Sequence, residues 1–299
     1  MAPGIWNDAV FTTYSSKKLK FGYYFDDGVT VASPPVKRAI EQTVQALKSQ
    51  GHEVVPITPP NTIEAVRIFV ALTSGERFAP NKKFNVNCSY NNLRIPIKPD
   101  PMEPTVRFLL TLSGFPSWVR SFLASIIQHV FRDPITSSTM RLVGNKSARQ
   151  VNEWTHRREE FRQSFNDYFQ QNKFDALIAP TSTIPPPKIN GTKLLSALAT
   201  STLLYNVMDW PVGVIPVTKV KAGEVMEEAR WKGKEKEGYS WMFLDQVYGR
   251  GGVYKDIMER GEGLPVGVQV VPYVDKVTDC RLLPGPVQVK RGFWRLWDR

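Results

Sequence analysis

The most constraining feature of this chain is the stretch Leu194–Thr218, which reads LLSALATSTLLYNVMDWPVGVIPVT. Apolar residues recur at helical spacing as far as Val207. The helix has to end before Pro211, because proline lacks the backbone N–H that a helix needs. The run Val212–Val217 then has the length and apolar content of a buried strand in a sheet covered on both faces. The stretch therefore predicts a helix followed by a strand.

Other segments extend this pattern towards the N-terminus. The segment FDALIAP, residues 174–180, predicts a buried strand that ends in the Thr-, Ser- and Pro-rich loop Thr181–Lys188. Lys18–Tyr24 and Glu53–Ile57 predict two strands, joined by a helix that begins after Ser33. Strands joined through a helix favour parallel pairing. The chain is therefore predicted to have an α/β fold, in which ligands collect where strands run out into loops.

The remaining elements are predicted from shorter patterns. Asn61–Gly75 and Ser147–Asn172 predict helices, the second of them long and charged. Glu76–Pro101 is polar and rich in Pro and Asn, which is typical of a loop. Val247–Arg260 is predicted to be helical in part, and Gly263–Val271 to be the last strand.

Composition limits the classes of function. The net charge is +11, but acidic residues interleave with the basic ones and no nucleic-acid-binding motif accompanies them, so no nucleic acid is expected as a partner. The two cysteines, Cys88 and Cys280, are too few for a disulfide framework or a zinc site. A reducing, intracellular location is the expectation. No uninterrupted apolar run reaches the roughly 18 residues of a membrane span.

Three segments carry a family resemblance. FDALIAPTS, LLYNVMDWPVGVIPVT and GLPVGVQVV occur in the order and at the spacing of the C-terminal half of the fatty-acid amide hydrolases, in the amidase signature family. The resemblance covers Asp8–Pro272. It implies an α/β fold with a mixed sheet and helices on both faces, incomplete because the catalytic half of the family would lie before Met1.

The resemblance also implies a division of the chain. Residues 1–275 would form the C-terminal part of an amidase-signature domain. Within it, residues 103–132 resemble a membrane-cap helical hairpin, and residues 219–247, which include KGKEKEG, are predicted to be a charged, exposed insertion. Residues 276–299 form an atypical tail that contains prolines and has no regular spacing of apolar residues.

The catalytic residues of the family have no counterpart here. Its members resemble serine hydrolases with a lysine and two serines, the serines lying in a Gly/Ser-rich stretch whose amides form an oxyanion hole. No such stretch occurs in the sequence, so no catalytic residue is predicted, and no cofactor or metal is expected. A formal S-x-x-K match at Ser15–Lys18 is more typical of a solvated turn, and Ser16 is the first serine to test if a probe labels the chain. The histidines, His52, His129 and His156, are scattered.

Two features on the substrate side remain. By resemblance, the helix within Leu194–Leu204 would line an acyl-chain channel through Ser196, Ala199 and Leu203, whose spacing of three and four puts them on one helical face. Core packing of the same residues is an equal alternative.

The second feature is the segment of residues 103–132, in which Ser113–Pro116 separates two helical pieces. Large apolar side chains with flanking arginines suit a membrane interface, and the resemblance implies a monotopic membrane cap. A core helix pair or an oligomer contact is the alternative. The predicted membrane contacts are Phe115, Trp118, Phe122, Leu123, Ile126 and Ile127.

These features predict the C-terminal portion of a fatty-acid amide hydrolase-like serine amidase. The full-length relative would cleave a lipid amide to a fatty acid and an amine, and this chain alone would be inactive. The expected partners are a lipid amide or fatty acyl chain, a membrane surface on which the protein is peripheral or monotopic, and a second copy in a homodimer. The alternative is a non-catalytic, membrane-associated protein that binds lipid or pairs with a full-length partner.

Overall fold

The computed structural model describes residues 17–58, 61–74, 111–189, 191 and 196–272. Its strands are β1 Lys20–Tyr23, β2 Glu53–Pro56, β3 Ala176–Pro180, β4 Gly213–Lys219 and β5 Pro265–Pro272. Its helices are α1 Pro34–Ser49, α2 Thr62–Thr73, α3 Ser117–Val130, α4 Pro134–Leu142, α5 Ala148–Asn172, α6 Thr200–Val207, α7 Glu228–Trp231, α8 Trp241–Tyr248 and α9 Val253–Arg260.

The described strands form one mixed sheet in the order β2-β1-β3-β5-β4. β1 pairs in parallel with both β2 and β3, as expected of strands joined through helices. β5 runs antiparallel to both β3 and β4. The predicted mixed sheet is therefore confirmed.

Alternate side chains of β3 point to two separate cores, as the period of two along a strand requires. Leu177 and Ala179 pack with the buried residues of α2, α5 and α6. Ala176 and Ile178 face the other way and pack with α1. Helices thus cover both faces of the sheet, and α6 lies in the first of these two cores.

The predicted starts of two helices are confirmed, for different reasons. Ser147 caps α5 through a capping box with Gln150, in which each side chain bonds the other residue's backbone N–H. Ser33 precedes α1, but its side chain makes no capping bond, and Pro34 supplies the helical backbone angle instead. The Ser33 N–H donates to the Thr183 carbonyl at 2.8 Å, which joins the loops after β1 and β3.

Two predictions within residues 194–218 are wrong in detail. Among the described strands, β4 lies at the edge of the sheet, and one of its faces is open at Val214, which is 58% exposed. An edge position also explains how the strand accommodates Pro216. The predicted single helix is divided into a 3-10 turn, Ser196–Ala199, followed by α6.

The segment of residues 219–247 is more structured than an exposed insertion. Its charged side chains do reach solvent, as in the Lys234–Glu237 ion pair. However, Met226, Trp231 and Leu244 are buried together with Ile257 of α9 in a third core.

Several predictions fall outside the described residues. They concern the loop Glu76–Pro101, the first helical piece of the segment 103–132 up to residue 110, both cysteines, Ser15 and Ser16, and the tail 276–299.

Candidate functional site

The carboxyl ends of β1 and β3 lie at the same edge of the sheet, because the two strands are parallel neighbours. The loop that follows β1 contains Asp26 and Asp27, and the loop that follows β3 contains Thr181 and Thr183. The N-terminus of α6 lies at this edge as well. Ligands of α/β sheets bind at such edges, which makes this the first place to look for a site.

Asp27 lies among the loops at the carboxyl ends of β1 and β3 and is only 2% exposed. Its Oδ1 accepts the backbone N–H groups of Val29 and Thr30 at 3.0 and 3.1 Å. Its Oδ2 accepts the hydroxyls of Thr200 and Ser201, the first two residues of α6, at 2.5 and 2.9 Å. One buried carboxylate therefore joins the loop after β1 to a helix more than 170 residues away.

Gln269 of β5 provides a second attachment for α6. Its side-chain Nε2 donates to the carbonyl of Pro180 at 2.7 Å and to the carbonyl of Ser201 at 2.9 Å, and the residue is fully buried. The amide thus joins the end of β3 to the first turn of α6.

A pair of buried tyrosines provides the third attachment. The hydroxyls of Tyr24 and Tyr205 lie 2.7 Å apart. Burial raises the pKa of both phenols above the ordinary value of 10.0, and the negative charge of Asp27 raises both further. Both tyrosines therefore stay neutral and act as hydrogen-bonding groups, not as bases.

Asp26, beside Asp27, faces the segment of residues 219–247. Its Oδ1 accepts the Tyr239 hydroxyl at 2.8 Å. Burial raises the pKa of Asp26 above the ordinary 3.8, the bond from Tyr239 lowers it, and the adjacent negative charge of Asp27 raises it again. The Tyr248 hydroxyl donates to the Val31 carbonyl at 2.6 Å, so two tyrosines hold this loop in place.

This edge is equipped to hold structure, not to activate a nucleophile. The hydroxyls of Thr200 and Ser201 donate to a carboxylate that is already satisfied by two backbone N–H groups. The side-chain oxygens of Thr30, Thr181 and Thr183 are buried and make no hydrogen bond within the described part of the chain. What the arrangement can do is to fix α6 against the sheet.

Within the described residues, Ser74 and Lys146 form a serine–lysine pair that the sequence analysis did not predict. Lys146 Nζ lies 3.1 Å from Ser74 Oγ, and burial, followed by the charge of Arg120, lowers the pKa of Lys146. However, Ser74 is 2% exposed and its hydroxyl donates to the Leu142 carbonyl. Lys146 also donates to the carbonyls of Leu142 and Gly144, so the pair ties α2 to the end of α4.

The three histidines do not form a site. His52 accepts the Leu19 N–H through Nδ1 at 3.2 Å, and burial lowers its pKa. His156 pairs with Glu160 on the exposed side of α5, and His129 is exposed on α3. No group of three or more His, Cys, Asp or Glu side chains suited to a metal ion occurs among the described residues.

The predicted channel residues lie around the start of α6. Leu203 is 9% exposed and packs in the core with Phe165 and Trp210. Ala199 is exposed at the N-cap position. Ser196 begins the 3-10 turn, so the three residues do not share one continuous α-helix. A channel role for them stays a prediction.

The predicted membrane contacts lie on and beside α3, and most of them are exposed. Trp118 and Phe122 are 72% and 63% exposed, while Leu123 and Ile127 are half-buried. The face turned to solvent consists of Phe115, Trp118, Phe122, Ile126 and Val130. We call these five residues the α3 apolar face. In the described part of the chain, no helix is both long enough and apolar enough to cross a bilayer.

A second buried carboxylate, Asp133, fastens α3 and α4 to α8. It accepts the Thr136 N–H and hydroxyl, the Ser240 hydroxyl and the Met242 N–H, at distances between 2.6 and 3.0 Å. Phe131 stacks on Trp241 beside it, with 5.2 Å between the ring centroids. The α3 apolar face is therefore presented by a firmly held helix.

Comparison with known proteins identifies the family. The amidase family profile, described as "Amidase", matches residues 7–283. Fatty acid amide hydrolase 1 of Caenorhabditis elegans is 27% identical over 275 residues, which are 91% of this chain and 43% of that protein. Fatty-acid amide hydrolase 1 of Sus scrofa is 27% identical over 266 residues, covering 89% of this chain and 41% of that protein. The chain thus spans less than half the length of these relatives.

The fold agrees with this assignment. A solved structure of a fatty acid amide hydrolase superimposes with a TM-score of 0.55 and 20% identity, over 92% of this chain and 40% of that one. A 6-aminohexanoate cyclic dimer hydrolase superimposes with a TM-score of 0.52 and 13% identity, over 95% and 48%. The family profile covers most of the sequence, and the mixed sheet is that of the structural neighbours. The chain therefore belongs to the amidase family and resembles its fatty-acid amide hydrolases.

Proposed function

We propose that this protein supplies the membrane-docking and acyl-binding part of a fatty-acid amide hydrolase-like amidase. The observation that carries the proposal is the α3 apolar face, in a chain whose relatives are named for fatty acid amides. Bound to a bilayer, the full enzyme would take a lipid amide from the membrane and cleave its C–N bond to a fatty acid and an amine.

The energetics of the α3 apolar face support docking to a membrane. Fully burying one large apolar side chain contributes about 1.5–3 kcal/mol, so Trp118, Phe122 and Val130 together could hold a monotopic protein on a bilayer. Arg132 follows α3 and is exposed, and the exposed Arg141 donates to Ser125 of α3. Their positive charge adds attraction to anionic lipid. No single helix has to cross the bilayer in this arrangement.

Co-sedimentation with vesicles that contain phosphatidylserine tests the docking. The variant Trp118→Ser/Phe122→Ser/Ile126→Ser should lose at least about 90% of its vesicle binding, because most of the apolar contact area is removed. A control variant, Val214→Ser/Val225→Ser/Ile189→Ser, changes three other exposed apolar residues outside α3 and should bind like the unmodified protein. Equal sedimentation of both folded variants would show that the α3 apolar face does not hold the protein on the membrane, and the proposal would be wrong.

A non-catalytic lipid-binding protein, or a partner of a full-length copy, is the second candidate. It is favoured by the lack of a Gly/Ser-rich signature in the 299 residues. Loss of a single oxyanion-hole donor costs about 10²–10³ in rate, so a chain without nucleophile, base and hole should leave oleamide intact.

A fluorophosphonate probe tests the lack of a nucleophile in this chain, which both candidates assume. We expect no labelling of the chain above a heat-denatured control. Saturable labelling that is abolished by Ser16→Ala would show that the chain carries a nucleophile of its own, and the non-catalytic candidate would be wrong.

A further inference from the structure

The first turn of α6 lacks a local cap. Its N-cap residue is Ala199, which makes no side-chain capping bond to the backbone N–H groups of the first turn. Negative charge near these groups stabilises a helix. Here the charge comes from Asp27, which reaches the hydroxyls of Thr200 and Ser201 from the loop after β1.

Asp27 can hold α6 in a defined position because its own loop is held by several hydrogen bonds that do not involve α6. Val29 and Thr30 donate their N–H groups to it. Beyond them, the Tyr248 hydroxyl binds the Val31 carbonyl, and the Ser33 N–H binds the Thr183 carbonyl. The position of the carboxylate is therefore set by the sheet and by α8, and not by α6.

The other two attachments bond α6 at different atoms from those that Asp27 bonds. Gln269 binds the carbonyl of Ser201, and Tyr24 binds Tyr205 one turn further along. Asp27 binds the side-chain hydroxyls of the first two residues of the helix. Leu203 is three residues after Thr200, so a shift of the first turn moves Leu203 with it.

We propose that Asp27 is the positioning residue of α6. It sets the place of the first turn and hence of Leu203 and Ala199, and so governs the acyl contacts of the chain. The acyl part of this inference rests on the proposed function, whereas the positioning of α6 does not.

Two measurements test the inference on the purified 299-residue chain. Hydrogen exchange followed by mass spectrometry reports on the peptide that covers α6. Fluorescence titration with cis-parinaric acid, a fatty acid that fluoresces when bound, reports on acyl binding. In Asp27→Ala, we expect exchange in α6 to accelerate by about tenfold or more, and the Kd for the probe to rise by a similar factor.

Conservative variants separate positioning from a general loss of stability. Thr200→Ser retains the hydroxyl that Asp27 accepts, and it should behave like the unmodified protein in both measurements. Thr200→Val has nearly the same shape without the hydroxyl, and it should shift both in the direction of Asp27→Ala. If Asp27→Ala does not fold, the contrast between these two variants decides the question.

Glu224→Gln is a control for Asp27→Ala, because it removes the charge of another carboxylate that bonds a distant residue. Glu224 is half-buried, and its partner is Arg38 of α1. It should leave exchange in α6 unchanged. Unchanged exchange in Thr200→Val, or equal acceleration in Glu224→Gln, would overturn the inference. If exchange responds as expected but the unmodified chain binds no probe, Asp27 positions α6 and the acyl role in the proposed function is wrong.

Discussion

The two helices predicted to contact lipid, α3 and α6, place their apolar side chains in opposite environments. Trp118 and Phe122 of α3 are largely exposed, whereas Leu204 and Tyr205 of α6 have no exposed surface. Both sequences are amphipathic or apolar, so the difference does not lie in composition. It lies in what the fold puts beside each helix, namely the sheet and α5 beside α6, and solvent beside the outer face of α3.

The same comparison extends to the carboxylates that fasten the two helices. Asp133 and Asp27 are both buried, and each accepts two backbone N–H groups and two hydroxyls. Each takes half of its bonds from residues two or three positions away and the other half from a distant helix, which is α8 for Asp133 and α6 for Asp27. The same set of donors therefore lets one carboxylate order its own loop and attach a distant helix to it.

The largest expected contrast comes from shortening one apolar side chain on each helix. Leu204→Ala should lower the free energy of unfolding by about 2–5 kcal/mol, because it leaves a cavity in a core without exposed surface. Phe122→Ala should change it by about 0.5 kcal/mol or less, because the ring is already exposed. Urea denaturation in the absence of lipid measures both. A similar loss in the two variants would mean that α3 is covered by another chain in solution.

A smaller loss in the free energy of unfolding is expected from changing Tyr24 and Tyr205, the tyrosine pair that attaches α6. Tyr24→Phe leaves the buried hydroxyl of Tyr205 without its partner, which should cost about 1–3 kcal/mol. The double variant Tyr24→Phe/Tyr205→Phe removes both hydroxyls and should cost less than the sum of the single changes. A double-mutant cycle in urea measures the difference. Strict additivity would show that the two hydroxyls do not interact.

The smallest expected change in the free energy of unfolding comes from protonation of Asp26, in the loop that anchors α6. Because the pKa of Asp26 is higher in the folded protein than the ordinary 3.8, the folded state binds this proton more tightly than the unfolded state. The resulting stabilisation is complete below about pH 3.8 and is lost as pH rises through the folded pKa. The free energy of unfolding of the unmodified protein should thus fall with rising pH relative to that of Asp26→Asn. Parallel profiles for the two proteins would contradict this.

The sequence was sufficient to predict several helices and strands, but not which neighbours pack against each of them. Periodicity and proline positions predicted β1, α1 and β2, because a strand and a helix of this kind are specified by neighbouring residues. The apolar character of α3 was predicted in the same way. That Leu123 and Ile127 turn partly inward while Val130 is 69% exposed depends on packing against α4, which periodicity does not encode.

The edge position of β4 and the role of Asp27 were missed for a related reason. The apolar run Val212–Val217 has the same composition in the centre of a sheet as at its edge, and only Pro216 argued for the edge. Asp26-Asp27-Gly28 has the composition of an ordinary turn. The one indication in the sequence was that this turn follows β1, a strand predicted to pair in parallel. The partners of Asp27, Thr200 and Ser201, could not be found without the fold.

The interior position of β1 in the sheet has a consequence for the synthesis of the chain. β1 precedes β2 and β3 in sequence, yet it lies between them, and the bond from the Lys20 N–H to Asp175 spans 155 residues. On the ribosome, the unit β1–α1–β2 must therefore wait with one strand edge open until β3 has been made. Such long-range closure is slow, and an open edge can pair with a neighbouring nascent chain. Dense polysomes would thus be the setting in which this protein is most prone to misassembly.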